Sequence, residues 1–386
     1  MHQTNNQTLK EFEQGPADPI LTGRSRFPAN PEFKNILVTG GAGFIASWLV
    51  RHLVVQYPEY NVYCFDHMDY CATERNVAML ESRPNFTFVY GDITSQRDVE
   101  MTMDQYDIDT VIHLAAESSV ELSFDNGVLF THTNVIGTQI LLEACRTREV
   151  SRFIQMSTDE VYGELEDEQS EVDYNAPLVP TNPYSASKAA ADMIVTAYER
   201  SFRIPCIKVR CNNIYGPHQY PEKIIPKFIC LLQRGERCTL HGSGKHRRRY
   251  LYVADAIDAL DTILHKGKVG CTYNVGTTVE LTNLEVTKRL LKEFGYNSDD
   301  AKVLEEHVDF TRDRVFNDMR YAVDSTLTYE LGWRPVTSFE EGLKSTVQWY
   351  RQYGANWWGN VDDWLVAFPS LKKAKRRPSH PYEVNA

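Results

Sequence analysis

Short apolar segments and longer amphipathic segments alternate along the middle of the chain. Apolar strands joined by helical crossovers are typical of a parallel sheet that is covered on both faces. We therefore predict an α/β fold, a doubly wound parallel sheet followed by a smaller C-terminal α/β region. The segments with the period of a helix are 41–57, 131–148, 182–202 and 224–235. The apolar segments expected to be strands are 35–40, 61–66, 86–92, 109–116, 152–157 and 206–211.

The ends of the chain break this pattern and suggest how it is divided. Both ends are polar without a sustained period. The run KKAKRR (372–377) is interpreted as a solvated charged segment, the alternative being a nuclear or acidic-surface signal. The expected regions are a flexible arm (1–33), a sheet domain (34–213, with a return near 250–277), a smaller region (214–249 and 278–364) and a basic tail (365–386).

Charge and cysteine content narrow the class of protein. The net charge of the 386 residues is −11, which disfavours binding to nucleic acid or to anionic membranes. No apolar run approaches the length of a membrane span, and the start has no secretory signal. The eight cysteines are scattered, with neither CxxC nor metal-ligand spacing. We expect a cytoplasmic protein with reduced thiols and no metal.

The turn after the first strand carries a candidate cofactor site. In TGGAGFIA, Gly40 and Gly43 permit a tight turn and let a pyrophosphate approach the N-terminus of the next helix, while Ala46 allows close packing. Asp66 ends the second strand, where a carboxylate accepts hydrogen bonds from ribose hydroxyls and disfavours a 2′-phosphate. These features predict a Rossmann-like domain that binds NAD. The alternatives are a plain tight turn and, for Asp66, a cap.

Two further segments have both a catalytic and a structural interpretation. Asp92 closes the third strand, where an adenine edge could be held, or it is a surface turn residue. Tyr184 and Lys188 lie four residues apart on one helix face, so we expect the ammonium to lower the pKa of the phenol and make it a base. An exposed Tyr–Lys contact is the alternative.

The motifs TGGAGFIA, STDEVYG, YSASK, NNIYGPHQYPEKIIPKF and YLYVADA together resemble the extended short-chain dehydrogenase/reductase family over about residues 34–364. More narrowly, they are similar to the nucleoside-diphosphate-sugar 4,6-dehydratases. The segments DYCATERNV, HKGKVGCTYNVGT, VFNDMRY and WWGNV are similar to the UDP-glucose branch, found as the first domain of plant rhamnose synthases and in fungal counterparts. The resemblance implies that the smaller region binds the nucleotide sugar. It also implies these cofactor residues: Gly40, Gly43, Phe44, Ile45, Asp66, Asp92, Ile93, Ala115, Ala116, Tyr184 and Lys188.

The motif STDEVYG admits two interpretations. Ser157 and Glu160 have the spacing of a capping box. The resemblance implies instead that Thr158 bonds the sugar O4 beside Tyr184, Asp159 protonates the departing C6 hydroxyl and Glu160 removes the C5 proton. The related UDP-glucuronate decarboxylases and GDP-mannose dehydratases carry serine at the position of Asp159, so this aspartate marks the UDP- and dTDP-glucose branch.

The implied reaction is a closed cycle on UDP-glucose. Oxidation of C4 by a tightly held NAD makes the C5 proton acidic, water leaves across C5–C6, and the hydride returns to C6. The product is UDP-4-keto-6-deoxyglucose, which a separate epimerase/reductase would take towards rhamnose. The implied substrate residues are Ser118, Thr158, Asn213, Lys223, Arg248, Arg314 and Asn317.

Some positions depart from the family pattern. Ser119-Val120-Glu121 replaces the usual His-Val-Asp, and no role is assigned to His113 or Ser119. Val279 stands roughly where dTDP-glucose enzymes often have asparagine, which weakens dTDP-glucose as the substrate. The alternatives that remain are a dTDP-glucose dehydratase, a UDP-sugar epimerase or decarboxylase, and a non-catalytic scaffold.

The family commonly dimerises through two helices per subunit. The segments TNVIGTQILLEAC and ASKAAADMIVTAY each have an apolar face beyond what one sheet contact requires. We therefore predict a homodimer. Ordinary core packing is the alternative explanation of these faces.

Overall fold

The computed structural model describes residues 20–165 and 171–370. The run KKAKRR and residues 1–19 of the predicted arm lie outside these ranges. Within them the chain forms a large parallel sheet flanked by helices, followed by a smaller region with two short sheets. The twelve strands are β1 (Asn35–Thr39), β2 (Asn61–Asp66), β3 (Phe86–Tyr90), β4 (Thr110–His113), β5 (Arg152–Thr158), β6 (Cys206–Cys211), β7 (Asn213–Tyr215), β8 (Cys238–His241), β9 (Arg247–Tyr252), β10 (Thr272–Val275), β11 (Glu280–Thr282) and β12 (Val308–Thr311).

The helices alternate with the strands of the large sheet and then dominate the C-terminal part. A π-helical segment, His132–Gly137, joins the fourth helix to the fifth, and a second one, Tyr350–Gly354, follows the twelfth. The helices are α1 (Phe44–Gln56), α2 (Gln96–Gln105), α3 (Val120–Asp125), α4 (Gly127–Thr131), α5 (Thr138–Arg148), α6 (Pro183–Phe202), α7 (Ile224–Gln233), α8 (Val253–Lys266), α9 (Asn283–Glu293), α10 (Ala301–His307), α11 (Thr326–Glu330), α12 (Phe339–Trp349) and α13 (Ala355–Trp357).

The large sheet has the strand order β10-β6-β5-β4-β1-β2-β3, and all of its pairs are parallel. This confirms the predicted doubly wound α/β fold. The order reverses between β1 and β4, and such a reversal opens a crevice at the carboxyl ends of the strands. Both β1 and β4 end at this crevice, so the segments that follow Thr39 and His113 lie side by side there.

Both faces of the sheet are covered by apolar side chains. One core contains buried residues of α1 and α8, such as Leu49 and Leu260, and the other contains those of α2, α5 and α6, such as Leu141. The smaller region has its own core around Phe228 and Trp349. Its sheets are β11-β9-β7 and β12-β8. None of the helices in the described ranges combines the length and the apolar composition needed to cross a bilayer.

Residues 20–33 do not behave as the flexible arm that the sequence suggested. The backbone N–H of Ser25 donates to Asp258 of α8 at 2.7 Å, and the Arg24 guanidinium pairs with both Asp255 and Asp258. The Phe33 side chain is fully buried in the core beside α1. The polar composition of this segment gave no indication of the packing, because the arm is held mainly by polar contacts to a helix more than 200 residues away.

Candidate active site

The glycine turn lies where β1 meets α1. Gly40 has a positive φ of 68°, and a Cβ atom there would lie 2.8 Å from the Cα atom of Ala115, which follows β4. Gly43 is the N-cap of α1 and offers no side-chain capping bond, so N–H groups of the first turn face the cavity without a side-chain cap. The turn therefore has the close approach and the free helix N-terminus that a pyrophosphate requires.

Asp66 lies beside this turn at the end of β2. Its Oδ2 accepts from the Ala42 N–H at 3.0 Å and its Oδ1 from the Met68 N–H at 2.7 Å. Burial raises the pKa of this carboxyl, and the two backbone bonds oppose that shift. The residue thus caps two turns, as the structural alternative supposed, and also lines the cavity at the position expected for a ribose contact.

Of the predicted cofactor residues, Asp92 is placed differently from the rest. It does not line the cavity among the described residues; its Oδ1 accepts from both the N–H and the hydroxyl of Thr94 at 2.8 Å. The surface-turn interpretation therefore describes its contacts. The adjacent Ile93 is buried and does line the cavity. The other predicted lining residues are Gly40, Gly43, Phe44, Ile45, Asp66, Ala115, Ala116, Tyr184 and Lys188.

The motif STDEVYG forms the end of β5 and a 3₁₀ turn, Asp159–Tyr162. Thr158 is the N-cap, with its hydroxyl accepting from the Glu160 N–H at 3.3 Å. The capping box proposed for Ser157 is not formed, because the Ser157 hydroxyl has no hydrogen-bond partner among the described residues. The strand thus delivers Thr158, Asp159 and Glu160 directly into the cavity.

Asp159 is buried, with 3% of its surface exposed. Its Oδ2 accepts from Asn212 Nδ2 at 2.8 Å, and the Thr158 hydroxyl donates to its Oδ1 at 3.3 Å. The Asn212 Oδ1 in turn accepts from the Thr277 N–H at 3.1 Å. Burial, followed by the charge of Glu160, raises the pKa of Asp159 to about 7. This carboxyl therefore holds a proton near neutral pH.

Glu160 is next to Asp159, and the positive charge of Arg248 acts on both carboxyls. Its Oε2 accepts from Asn182 Nδ2 at 3.4 Å. Burial raises the pKa of Glu160, while the positive charge of Arg248 opposes the shift most strongly. At Asp159 the same charge comes second to the hydrogen bond from Asn212 among the opposing effects, so Arg248 is the leading influence towards ionisation only at Glu160. The arrangement therefore suits Asp159 as a proton donor and Glu160 as a proton acceptor.

Tyr184 and Lys188 both face the cavity from the first two turns of α6, but the expected effect on the phenol is wrong. Burial, with the charge of Glu160, raises the pKa of Tyr184 well above its usual range, and the hydrogen bond with Thr158 opposes this. The Lys188 ammonium donates to the Met156 carbonyl at 2.7 Å, and burial lowers the pKa of Lys188 to about 8. Burial and the two carboxyls therefore determine the direction of the shift at Tyr184, and the ammonium is used in its bond to the Met156 carbonyl.

The cations expected to bind phosphate lie beyond the carboxyl pair. The Arg248 guanidinium donates to the carbonyl of Asp318 at 2.8 Å and to Asn317 Oδ1 at 3.3 Å, and it lies 4.7 Å from the ring centre of Tyr321. These contacts fix its orientation beside Glu160. Arg248, Arg314 and Asn317 all line the cavity.

Arg314 has a partner that the sequence did not suggest. Its Nε lies 3.0 Å from Glu121 Oε2, and burial lowers the pKa of this arginine while Glu121 opposes the shift. Glu121 is one of the positions that departs from the family pattern. A half-buried guanidinium held by a single carboxylate keeps donors available for an oxyanion.

Asn213, Lys223 and Ser118 also line the cavity. The Lys223 ammonium donates to the Ser118 carbonyl at 2.7 Å and lies 3.3 Å from Glu222 Oε1. His113 does not line it; its ring lies between the hydroxyls of Thr39 and Thr138 at 2.7 and 3.0 Å. Ser119 caps α3 by accepting from the Leu122 N–H. In the described part of the chain no cluster of three or more His, Cys, Asp or Glu side chains forms a metal site.

The sequence analysis missed residues that support the site. Asn182 and Asn212 hold the two carboxyls, and Lys227 is a buried cation in the wall of the cavity whose pKa burial lowers to about 8. Asn182 had a local signal, since an asparagine directly before Pro-Tyr-Ser is a typical helix N-cap. The contact of Asn212 had none, because Asp159 lies 53 residues away.

Comparison with known proteins agrees with this geometry. The family model described as GDP-mannose 4,6 dehydratase matches residues 37–346. A trifunctional UDP-glucose 4,6-dehydratase/3,5-epimerase/reductase of Arabidopsis thaliana is 45% identical over 340 residues, covering 88% of this chain and 50% of the relative. Human dTDP-D-glucose 4,6-dehydratase is 44% identical over 336 residues, covering 87% and 95%. The chain thus spans about half the length of its Arabidopsis relatives and nearly all of the human one.

Solved structures show the same architecture. The dTDP-glucose 4,6-dehydratase of Bacillus anthracis, in complex with NAD, is 38% identical, with a TM-score of 0.76 over 84% of this chain and 98% of that one. The UDP-glucose 4-epimerase of Thermotoga maritima, with UDP-glucose, is 30% identical, with a TM-score of 0.75 over 82% and 98%. The chain therefore belongs to the GDP-mannose 4,6 dehydratase family.

Proposed function

We propose that this chain converts UDP-glucose to UDP-4-keto-6-deoxyglucose with NAD as its cofactor. The observation that carries the proposal is the pair of adjacent buried carboxyls in one cavity with a tyrosine. Elimination across C5–C6 needs one group that donates a proton and one that accepts a proton. Asp159, with a pKa raised to about 7, and Glu160, whose ionised form Arg248 favours, meet that need.

The end of the cavity that contains the glycine turn, away from the carboxyl pair, fits the cofactor. The Gly40 turn has no room for a side chain, and the N-terminus of α1 is open to a pyrophosphate. Asp66 is placed to accept from ribose hydroxyls and to repel a 2′-phosphate, which favours NAD over NADP. When bound, NAD supplies a reversible hydride acceptor for a carbon that bears a hydroxyl group.

The chain's own residues perform the proton transfers. Tyr184 would take the proton of the O4 hydroxyl as its phenolate, while Thr158 bonds the same oxygen. The positive nicotinamide ring of bound NAD would favour that phenolate against the burial and the carboxyl charges that raise the pKa of Tyr184. A C4 ketone makes the C5 proton acidic, and Glu160 removes it. Asp159 protonates the departing C6 hydroxyl, which leaves as water. The hydride that bound NAD would take from C4 would be given back at C6 while Glu160 returns a proton to C5, so the cycle has no net redox change.

The diphosphate is held by cations beyond the carboxyl pair. Arg248 and Arg314 have guanidinium groups that suit phosphate oxygens, and Asn317 orients Arg248. Asn213 contacts the diphosphate, and Lys223 lies near the base. Lys188 fixes the strand end through the Met156 carbonyl and lies one helical turn after Tyr184.

The choice of UDP-glucose rests on motif likeness to the UDP-glucose branch. Relatives named for UDP-glucose and for dTDP-glucose are equally similar to this chain. Val279, taken from the sequence as a point against dTDP-glucose, is 38% exposed and does not line the cavity among the described residues. It therefore offers no contact through which the base could be selected, and dTDP-glucose is the second candidate.

The test offers UDP-glucose, dTDP-glucose and GDP-mannose in parallel, each with deuterium at C4. We expect UDP-glucose to give an alkali-sensitive 4-keto sugar with the deuterium at C6. Faster turnover of dTDP-glucose would contradict the assigned base. Formation of UDP-galactose, or loss of the label to solvent during turnover, would contradict the reaction itself.

We further propose that the product passes to a separate epimerase/reductase on the route to UDP-rhamnose, and that the enzyme acts in the cytoplasm as a homodimer. The name of the Arabidopsis relative joins a 4,6-dehydratase to a 3,5-epimerase and a reductase, and the last two are the kinds of reaction that would use this product. Mixing the chain with UDP-glucose, NADPH and a candidate epimerase/reductase should yield UDP-rhamnose only when both proteins are present.

A further inference from the structure

The last described residues, 366–370, cross the cavity at the end away from the glycine turn. We call them the C-terminal strap. They lie beyond residue 346, where the family match ends. Ala367 and Pro369 line the cavity, and Pro369 is buried. The strap follows Trp364 and Leu365, which are anchored in the core of the smaller region. The strap therefore continues directly from a segment that is anchored in this core.

Three elements of the cavity wall hold the strap. The Lys227 ammonium of α7 donates to the carbonyl of Val366. The His241 Nε2 of β8 donates to the carbonyl of Ala367 at 2.9 Å. The Ser370 hydroxyl donates to Asp125 Oδ2 of α3 at 2.8 Å. Lys227 and His241 themselves line the cavity, so the strap is bonded to the site and not only to the surface beside it.

An aromatic stack adds to these polar bonds. The ring of Phe368 lies parallel to that of His241, with 4.8 Å between centroids and 9° between planes, and the Arg312 guanidinium lies 4.8 Å from the centre of the Phe368 ring. Burial lowers the pKa of His241 to about 4, so the ring is neutral. A neutral imidazole that donates through Nε2 keeps one orientation, which holds Phe368 against it.

The order of groups along the cavity indicates what the strap meets. The sugar must lie at Asp159 and Glu160, where it reacts, and the diphosphate at the arginines beyond them. Asn317 accepts from Arg248 at 3.3 Å and donates to Asp313 Oδ1 at 2.9 Å. Asp313 lies directly against Gly242, the residue after His241. The arginines and Asn317 therefore lie between the carboxyl pair and His241. The wall beyond Arg314 contains Phe228, Thr239, Leu240, His241, Ala367 and Pro369. Such an apolar and aromatic lining suits a flat heterocycle.

We infer that the C-terminal strap forms one wall of the nucleoside subsite and positions the nucleotide sugar through its base and ribose. This inference rests on the proposed function for the identity of the substrate. The strap contributes two lining residues, whereas Phe368 acts through His241 and is a positioning residue. Its removal should weaken binding of the nucleoside and leave the chemistry at the carboxyl pair unchanged.

The test uses full-length protein and titration calorimetry with UDP, dTDP, GDP and inorganic pyrophosphate. Phe368→Ala should weaken the affinity for the nucleotide that binds best by about tenfold. The affinity for pyrophosphate, which has no nucleoside, should change by less than about twofold. Val366→Ala is the matched control, because its side chain is exposed and its carbonyl remains. We expect this control to match the unaltered protein for every titrant.

Kinetics give a second readout. In Phe368→Ala the KM for the nucleotide sugar should rise about tenfold while kcat changes little. The inference would be overturned if the variant lost equal affinity for the nucleotide and for pyrophosphate, or if its affinity for the nucleotide were unchanged. If Phe368→Ala does not fold, Ser370→Ala is measured in its place, and its affinity for the nucleotide should be about threefold weaker. Because calorimetry needs no turnover, an intact protein that binds UDP but does not dehydrate UDP-glucose contradicts the proposed function and leaves the strap assignment standing.

Discussion

At the residue scale, the sequence located most of the residues that line the proposed site but not those that support them. Thr158, Asp159 and Glu160 are consecutive, so one motif contained all three. Their environment depends on contacts between distant segments, such as that between Asp159 and Asn212. The prediction of a low pKa for Tyr184 was wrong for the same reason. The spacing in the sequence reveals Lys188 nearby, but it does not reveal that the phenol is buried beside two carboxyls.

Asp159 provides a prediction about pH. Because its pKa is about 7 and the protonated form is the donor, turnover should fall as pH rises above 7. Asp159→Asn should lower kcat by about 10²- to 10³-fold and abolish that decline. The pH profile of kcat, measured from pH 5.5 to 9, checks both. Glu160→Gln is the matched comparison, since it should lose a similar factor through the missing base.

The same variant should differ in stability. In the folded state Asp159 binds its proton up to about pH 7, whereas in the unfolded chain it ionises near 4, so the folded state loses stability as pH rises through that window. Asp159→Asn can still accept from Asn212 and should be more stable than the unaltered protein at pH 8, by about 2–4 kcal/mol, and near parity at pH 4. The free energies of unfolding of the two proteins, measured with urea at both pH values, test this. If the difference between the proteins is the same at pH 4 and at pH 8, burial does not raise the pKa of this carboxyl.

At the element scale, the large sheet was predictable because its strands are continuous apolar segments, and β1 to β6 occur where the pattern placed them. The short strands of the smaller region were not. The strand β11 has three residues, Glu280–Thr282, which is too few to display a period. The arm at 20–33 was missed because its charged residues pair with α8, and a polar segment without a period gives no sign of such long-range pairing.

The arm should contribute to stability but not to catalysis. Arg24→Ala leaves Asp255, which is fully buried, without its cation, and we expect a loss of about 2 kcal/mol in the free energy of unfolding. The KM and kcat should stay unchanged, since no described residue of the arm lines the cavity. Arg26→Ala, at an exposed position, is the control. An Arg24→Ala protein as stable as this control would show that the arm is not held by these ion pairs.

At the scale of the whole molecule, the cavity joins the two regions. The large sheet supplies the glycine turn and the carboxyl pair, and the smaller region supplies the arginines and the strap. Folding of the two regions is therefore coupled to the formation of the site. The likeness to the family covers both regions, and this is why a one-dimensional pattern of motifs could locate a site built from many elements.

The proposed homodimer also belongs to this scale. Met193 of α6 is 59% exposed, and Ile136, in the segment before α5, is 40% exposed. Exposed apolar side chains on two neighbouring helices are typical of an interface. Met193→Glu should shift the protein from dimer to monomer in sedimentation velocity at micromolar concentration. Val336→Glu, at a 68% exposed position outside these helices, should not. A monomeric unaltered protein would contradict the proposal.

The orientation of one amide has a consequence for the acid. The Thr277 N–H can only donate, so the atom of Asn212 that faces it must be the oxygen, and its NH₂ group must point at Asp159. The Oδ2 atom of Asp159 accepts this NH₂ group, and an oxygen that already accepts a hydrogen bond there is disfavoured as the protonated oxygen. The ionisable hydrogen of Asp159 is therefore confined to Oδ1, beside the Thr158 hydroxyl, and a backbone group of the loop after β10 selects the oxygen from which it leaves.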